Sequence, residues 1–377
     1  MTDLVALDLF AGTGWGVACA RLGIEEYGVE IMPEAVATRD TNGMTTIYGD
    51  VWDGLIEPRP RLLTDAEREG VRRVMGKIAR GEVLTTYELL IASPPCQTFS
   101  VAGKGAGRKA LDEVLLAIAE RDYLDPARLK TFGEKHDERT ALVLTPLAHI
   151  ARDLPRLVVL EQVPTVLPVW EACAEVLRGI GYSVVTGILN AEQYGVPQTR
   201  RRAILIARRD GVAAEMPVPT HSRYYSHWPE RLDAGVKKWV SMADALGWGD
   251  FVAEKVMGKG MVERYGTRPG RDAGEPAFTI RASAGGMEPG GFVLRSNYGT
   301  GGDASKRGER PVTSPAPTLT SKADRNKWDG VRRMSIEEAA VLQTYPADFP
   351  FTGKKFLQVG NAVPPLLAEA ILRTLLD

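Results

Sequence analysis

Over the first 210 residues of this 377-residue chain, short apolar runs of strand length alternate with helix-length segments, a rhythm few folds accommodate. Leu4 to Leu7, Tyr27 to Glu30, Leu89 to Ala92, Val158 to Leu160, Val184 to Leu189 and Ala203 to Ala207 read as strands. Helices are predicted over Val17 to Leu22 and, after Pro33, over Glu34 to Asp40. Short apolar strands joined by helices predict an α/β fold with a doubly wound, mostly parallel sheet.

From about Asp210 the rhythm stops. Residues 211–330 are rich in Gly, Pro, Ser, Thr and Arg, with short β-like pieces at Phe278 to Arg281 and Phe292 to Arg295, and predict a smaller, irregular, β-rich domain. The apolar stretch Leu366 to Leu376 suits a helix that packs back on the first domain. The expected division is therefore 1–209 completed by 354–377, with 210–353 as the second domain. Two insertions, Glu57 to Glu82 and Gly103 to Thr140, are expected to be largely helical. Between Lys104 and Arg139 stand 8 Lys+Arg and 8 Asp+Glu, which reads as a solvated face.

No apolar run approaches the roughly 20 residues that span a bilayer, and no basic leader precedes the first strand, so a cytoplasmic location is expected. Three cysteines, Cys19, Cys96 and Cys173, are too few and scattered for a disulfide framework. Cys19 and Cys173 read as small buried hydrophobes. The four histidines lack metal-ligand spacing, so no metal is expected. The net charge of -1 excludes a uniformly basic surface, yet between Arg264 and Arg333 there are 13 Lys+Arg against 7 Asp+Glu. That local excess can neutralise phosphates.

Chemistry concentrates at strand ends. The first strand runs into Asp8-Leu9-Phe10-Ala11-Gly12-Thr13-Gly14-Trp15-Gly16, whose glycines permit a tight strand-to-helix turn and close approach of a ligand to backbone. Glu30, about 20 residues on, stands where such folds bind ribose hydroxyls, and Asp50 follows the third strand. Val17 breaks the phosphate-cradling G-x-G-x-x-G pattern, which favours a ligand without pyrophosphate, such as S-adenosyl-methionine, over a dinucleotide. Ser93-Pro94-Pro95-Cys96 follows the strand Leu89 to Ala92. Two prolines stiffen the backbone ahead of a thiol at the ligand-binding end of the sheet, which makes Cys96 a candidate nucleophile.

The loop Asp8 to Gly14 together with Pro94-Pro95-Cys96 resembles the DNA (cytosine-5) methyltransferase family, and further segments agree in order. These are Glu161-Gln162-Val163, where Gln162 replaces the family's usual Asn; Gln198-Thr199-Arg200-Arg201-Arg202; Arg332 to Phe351, with Leu342-Gln343-Thr344-Tyr345-Pro346; and Gly360-Asn361-Ala362-Val363-Pro364-Pro365. The resemblance spans residues 8 to 365. It implies a Rossmann-like, S-adenosyl-methionine-dependent catalytic domain and a target-recognition domain. It also implies methyl transfer to carbon 5 of cytosine in double-stranded DNA, on a flipped-out base and through a covalent cysteine adduct.

Carried over residue by residue, the resemblance implies Cys96, Glu161, Arg200 and Arg202 as catalytic residues, with Gln198 in the same pocket. Cofactor contacts are implied for Phe10, Gly12, Gly14, Glu30, Asp50, Pro95 and Asn361. Cys96 would add to carbon 6 as a thiolate, whose formation nearby cations favour, and Glu161 would neutralise ring nitrogen 3. Arg200 and Arg202, two apart on one strand, would face the base together while Arg201 faces away. Ser283 to Gly291 and Asn297 to Gly302 are candidate groove loops, and the cluster Tyr224 to Trp228 reads as core packing ahead of base stacking. A cognate restriction enzyme is a candidate partner.

Three other readings compete. A tRNA-methylating relative characteristically carries Cys-Phe-Thr in its recognition region, and no cysteine follows Cys173. A non-catalytic DNA-binding protein of this fold is disfavoured by the presence of Cys96 and Glu161. A dinucleotide oxidoreductase leaves the Pro-Pro-Cys loop and the arginine strand without a role.

Overall fold

In the computed structural model the described residues are 4–55, 87–95, 106–135, 138–228, 230–247, 293–295, 309–320, 323, 326–328 and 332–376. Insertion residues 57–82, the catalytic candidate Cys96, Phe278 to Arg281 and both candidate groove loops lie outside them. The six strands read from the sequence are present within a residue or two of their predicted ends, as β1 (Val5–Leu9), β2 (Glu25–Val29), β4 (Leu89–Ala92), β5 (Leu157–Gln162), β6 (Ser183–Asn190) and β8 (Arg201–Arg208), and the structure adds β3 (Thr45–Tyr48) and β7 (Gln198–Thr199). Seven form one sheet in the order β3-β2-β1-β4-β5-β8-β6, with parallel pairing from β3 to β5 and β8 antiparallel to both its neighbours. The chain leaves β1 toward β2 on one side and returns as β4 on the other. The carboxyl ends of β1 and β4 therefore flank the switch point where open α/β sheets bind ligands.

Alternation along the strands fills both faces. Leu90, Ala92, Val158, Leu160 and Leu205 point toward helices Ala106–Ala119, Thr145–Asp153 and Leu167–Gly179. Leu89, Ile91, Leu157, Val159, Ile204 and Ile206 point toward the C-terminal helix Pro365–Leu376 and helix α1 (Gly14–Leu22). The predicted return of the C-terminal helix is thus seen, with Leu367, Ile371 and Leu375 buried on the sheet. The second insertion's helix Ala106–Ala119 does more than cover a surface, because Val114 and Ala117 enter the core. Cys19 and Cys173 are buried free thiols, as expected.

The remaining described pieces form a second cluster. A small antiparallel sheet orders β10 (Glu309–Pro311), β9 (Val293–Arg295), β12 (Lys327–Trp328) and β13 (Arg332–Arg333). Met242, Val312, Leu319, Trp328, Leu342, Tyr345 and Val359 pack together and against Val17 of α1. A short strand β11 (Ala316–Pro317) pairs with β7 in a separate two-stranded ladder, joining this cluster to the segment that leads into β8. The Tyr224 to Trp228 cluster splits: Tyr224 packs edge-on against Trp239 at 5.2 Å, whereas Trp228 is exposed. No helix among the described residues is long and apolar enough to cross a membrane.

Candidate active site

The loop after β1 is shaped by backbone conformation. Phe10 and Gly12 both take positive φ, at 61° and 49°, and the Ala11 N–H donates to the Val29 carbonyl, so the loop is drawn against the end of β2. The Gly12 N–H donates to Glu30 Oε2 at 2.9 Å, and the Met32 N–H donates to Oε1 at 2.7 Å. Each Glu30 oxygen therefore spends one lone-pair direction on backbone and keeps capacity for a hydroxyl donor. At Gly14 a side chain has no room: a Cβ would stand 2.2 Å from the Val363 carbonyl oxygen, so the segment Gly360 to Pro365 lies directly on the loop.

Two further strand ends meet this loop. Trp15 Nε1 donates to Ser93 Oγ at 2.9 Å, tying α1 to the end of β4 where Pro94 and Pro95 follow. Asp50 caps a 3-10 turn, Val51–Gly54, by accepting from the Trp52 N–H at 3.1 Å. At the end of β5, the buried Glu161 carboxylate receives Arg202 Nε at 2.6 Å. The next residue, Gln162, donates its side-chain amide to the Pro94 carbonyl, so the Gln that replaces Asn braces the Pro-Pro loop.

These elements enclose a cavity of about 440 Å³, within the range of small-molecule sites. Phe10, Gly12, Gly14, Glu30, Asp50, Pro95, Glu161, Arg200, Arg202 and Asn361 all line it, so ten of the eleven residues proposed from sequence come together. The eleventh, Cys96, lies outside the described residues. The polar groups fit a nucleoside-bearing ligand such as S-adenosyl-methionine. Glu30 offers a backbone-fixed carboxylate, the Gly12 turn leaves open the space a side chain would fill, and Trp52, Ile31 and Val29 give an apolar wall. Among the described residues no group of three or more His, Cys, Asp or Glu could hold a metal.

Two expectations need correction. Arg200 precedes β8, so it does not share a strand face with Arg202. Its Nη1 donates to the Leu319 carbonyl at 3.1 Å and to the Gly360 carbonyl at 3.0 Å, binding three chain segments together at the cavity wall. Arg201 is exposed, as the alternation predicted. Gln198 does not line the cavity. It is wholly buried behind it, donating to Gln343 Oε1 and accepting from the Leu319 N–H at 2.9 Å. The irregular turn between β7 and β8 breaks the two-residue alternation on which the sequence expectation relied.

Sequence reasoning missed Trp15, Ser93, Ile31, Trp52 and Val363 as cavity residues. Each stands within two residues of one it did find. For Ile31 the signal was available, because a large apolar side chain directly after the Glu30 carboxylate leaves β2 toward solvent, and Ile31 is 72% exposed.

Comparison with known proteins agrees with this geometry. The sequence model of the family described as C-5 cytosine-specific DNA methylase matches residues 131–377. The chain is similar to the Type II methyltransferase M1.HphI of Haemophilus parahaemolyticus, with 28% identity over 388 residues, covering 99% of this chain and 87% of that protein. It is 25% identical to the Type II methyltransferase M.AplI of Arthrospira platensis, over 99% of this chain and 86% of the relative. Among solved structures, one described as a DNA modification methyltransferase encoded within an E. coli prophage superposes with a TM-score of 0.55. It shares 18% identity and covers 99% of this chain and 98% of that one, a likeness of fold.

Proposed function

Because the chain belongs to the C-5 cytosine-specific DNA methylase family and transfers a methyl group from S-adenosyl-methionine to carbon 5 of cytosine in DNA, we propose that the single cavity at the switch point houses both halves of the reaction. The observation that carries this reading is adjacency. The Gly12–Glu30 loop, Asp50 and Asn361 line the same cavity as Glu161 and Arg202.

In this reading Glu30 and Asp50 hold the nucleoside part of the donor, and the donor, once bound, supplies a methyl group on an electrophilic sulfonium. The Cys96 thiolate adds to carbon 6 of the cytosine, forming a C–S bond and pushing electron density toward carbon 5 and nitrogen 3. Pro95, its neighbour in the chain, lines the cavity, and Gln162 holds the Pro94 carbonyl that precedes both. Glu161 faces the nitrogen 3 edge, and its ion pair with Arg202 fixes the carboxylate's orientation so that it need not reorganise as charge develops. Once carbon 5 carries the methyl group, loss of its proton and expulsion of the cysteine regenerate the ring.

A stacked base exposes neither carbon to these groups, so the substrate is double-stranded DNA with the target cytosine flipped out. Residues 210–353 form the target-recognition domain, against a catalytic domain of 1–209 completed by 354–377. The positive excess between Arg264 and Arg333 supplies the phosphate contacts. The protein works in the cytoplasm of a prokaryotic or virus-infected cell, protecting sites that a cognate restriction enzyme cuts. The test is transfer of tritiated methyl from S-adenosyl-methionine to mixed-sequence duplex DNA, with bulk tRNA and Cys96→Ser in parallel. Label in DNA recovered as 5-methylcytosine and lost in Cys96→Ser is expected. Label in tRNA alone, or label that persists in Cys96→Ser, would overturn the reading.

A further inference from the structure

Beneath the glycine loop lies an ionic cluster that the reaction does not use. Arg39, in helix α2 (Pro33–Thr41), is wholly buried. Its guanidinium crosses Gly28 of β2 so closely that a Cβ there would stand 2.2 Å from Nη2. Nε donates to Thr46 Oγ1 at 3.0 Å, Nη1 to the Gly12 carbonyl at 3.0 Å, and Nη2 to the Thr45 carbonyl at 2.9 Å and to both oxygens of Glu26, at 2.8 and 2.9 Å. One side chain thereby ties β2, β3 and the loop after β1. Asp8 on β1, paired in register with Gly28, is also fully buried, and its carboxylate has no hydrogen-bond partner among the described residues. Burial, then the nearby Glu26, push its carboxyl well up, while Glu26 is the carboxylate that pairs with Arg39.

A buried ion pair adds little stability over an apolar replacement of the same volume, so its presence calls for another account. The geometry supplies one. Gly12 is held from both sides, its N–H by Glu30 and its carbonyl by Arg39, while its φ sits in the left-handed region. We propose that Arg39 is a positioning residue for the methyl donor: anchored by Glu26, it fixes the Gly12 peptide so that the loop and the Glu30 carboxylate present a single arrangement to the nucleoside. This rests on the reading of the cavity as the donor site. Removing an outer support of a binding group typically weakens binding 10–100-fold at metal sites, and a comparable factor is expected here.

The test is calorimetric titration of the full chain with S-adenosyl-homocysteine, which occupies the donor site without reacting, alongside steady-state kinetics. In Arg39→Lys a single ammonium cannot reach acceptors on three segments. Affinity should fall about 10–100-fold at unchanged stoichiometry, KM for S-adenosyl-methionine should rise by the same factor, and kcat at saturation should stay within about 3-fold. A merely structural role would lower stoichiometry and melting temperature and leave the Kd of the folded fraction unchanged, which would overturn the proposal. Should Arg39→Lys not fold, Thr46→Val removes only the Nε acceptor and should weaken binding about 3-fold, with unchanged affinity again overturning it. No binding by the wild-type chain would defeat the donor-site reading, and this proposal with it. Wild-type binding matched by both variants would defeat this proposal alone.

Discussion

The two halves of the cavity are built by opposite means. In the half proposed for the donor, Gly12 meets Glu30 across 18 residues, Arg39 reaches Gly12 across 27, and Asp50 caps a turn two residues away. In the base half, Arg200 is held by carbonyls 119 and 160 residues distant, and Gln198 by Gln343, 145 residues on. The half proposed for the donor is framed chiefly by the first two βα units of the sheet, with the Gly360 to Pro365 segment laid on its loop. The wall proposed to face the base is assembled from three separate parts of the chain, and those contacts reach the cluster that bears residues 309–320 and 334–359. Binding of donor and rate of transfer should therefore be separable by mutation.

Glu161→Gln should show that separation most strongly. The substitution keeps the shape and removes the charge paired with Arg202, so kcat should fall about 10²–10⁴-fold while S-adenosyl-homocysteine affinity in calorimetry changes less than about 3-fold. An equal loss in both would merge the two halves.

Arg200→Met should act on both at once through stability. Two buried carbonyls lose their donor, each at about 1–3 kcal/mol, so a urea melt should show a loss of about 3 kcal/mol. Full stability with only kcat reduced would instead make Arg200 a direct contact of the base.

The third test lies at the seam between the large sheet and the second cluster. Glu192 is buried, its carboxyl pushed up to about 7 from 4.5 by desolvation, against the opposing pull of the Tyr224 backbone and of Arg223 and Arg310. Since the folded state holds this proton more tightly than the unfolded chain, its contribution to stability is fully present below about 4.5 and is lost as pH rises to about 7. Glu192→Gln should flatten that decline and leave the protein more stable at pH 8 by about 1–3 kcal/mol. Parallel pH–stability curves for variant and wild type would refute it.

The smallest effect is expected at Glu30→Gln, where one acceptor for the Gly12 N–H or the ribose is replaced by an amide. KM for S-adenosyl-methionine should rise about 10-fold, near 1.4 kcal/mol, with kcat nearly unchanged. A fall in kcat alone would assign Glu30 to the base half.

The contrast also explains what could be read before any coordinates. Leu89 to Ala92 and Leu157 to Leu160 are apolar at every position because the sheet buries both their faces, so the rhythm of such runs with helix-length segments revealed the α/β class and the strand positions. Phe10, Gly12, Gly14, Glu30 and Asp50 were legible because each stands within five residues of a strand's end, and a strand's end fixes roughly where the next few residues stand. Arg39 was not. It lies on a helix like any solvated arginine, and only the absence of a Cβ at Gly28 and the buried Glu26 opposite turn it inward. Likewise Arg200 and Gln198 carried the right motif, but their division of labour depended on an irregular turn and on Leu319, Gln343 and Gly360. Those partners are supplied by loop closures of more than a hundred residues, which local pattern cannot specify. By itself the sequence determined the strands, the class of sheet they make and the residues near strand ends, because period and position set these locally. Tertiary structure decided which of those groups stay free for chemistry and which are consumed in holding the cavity together, because that depends on where distant carbonyls and carboxylates come to rest.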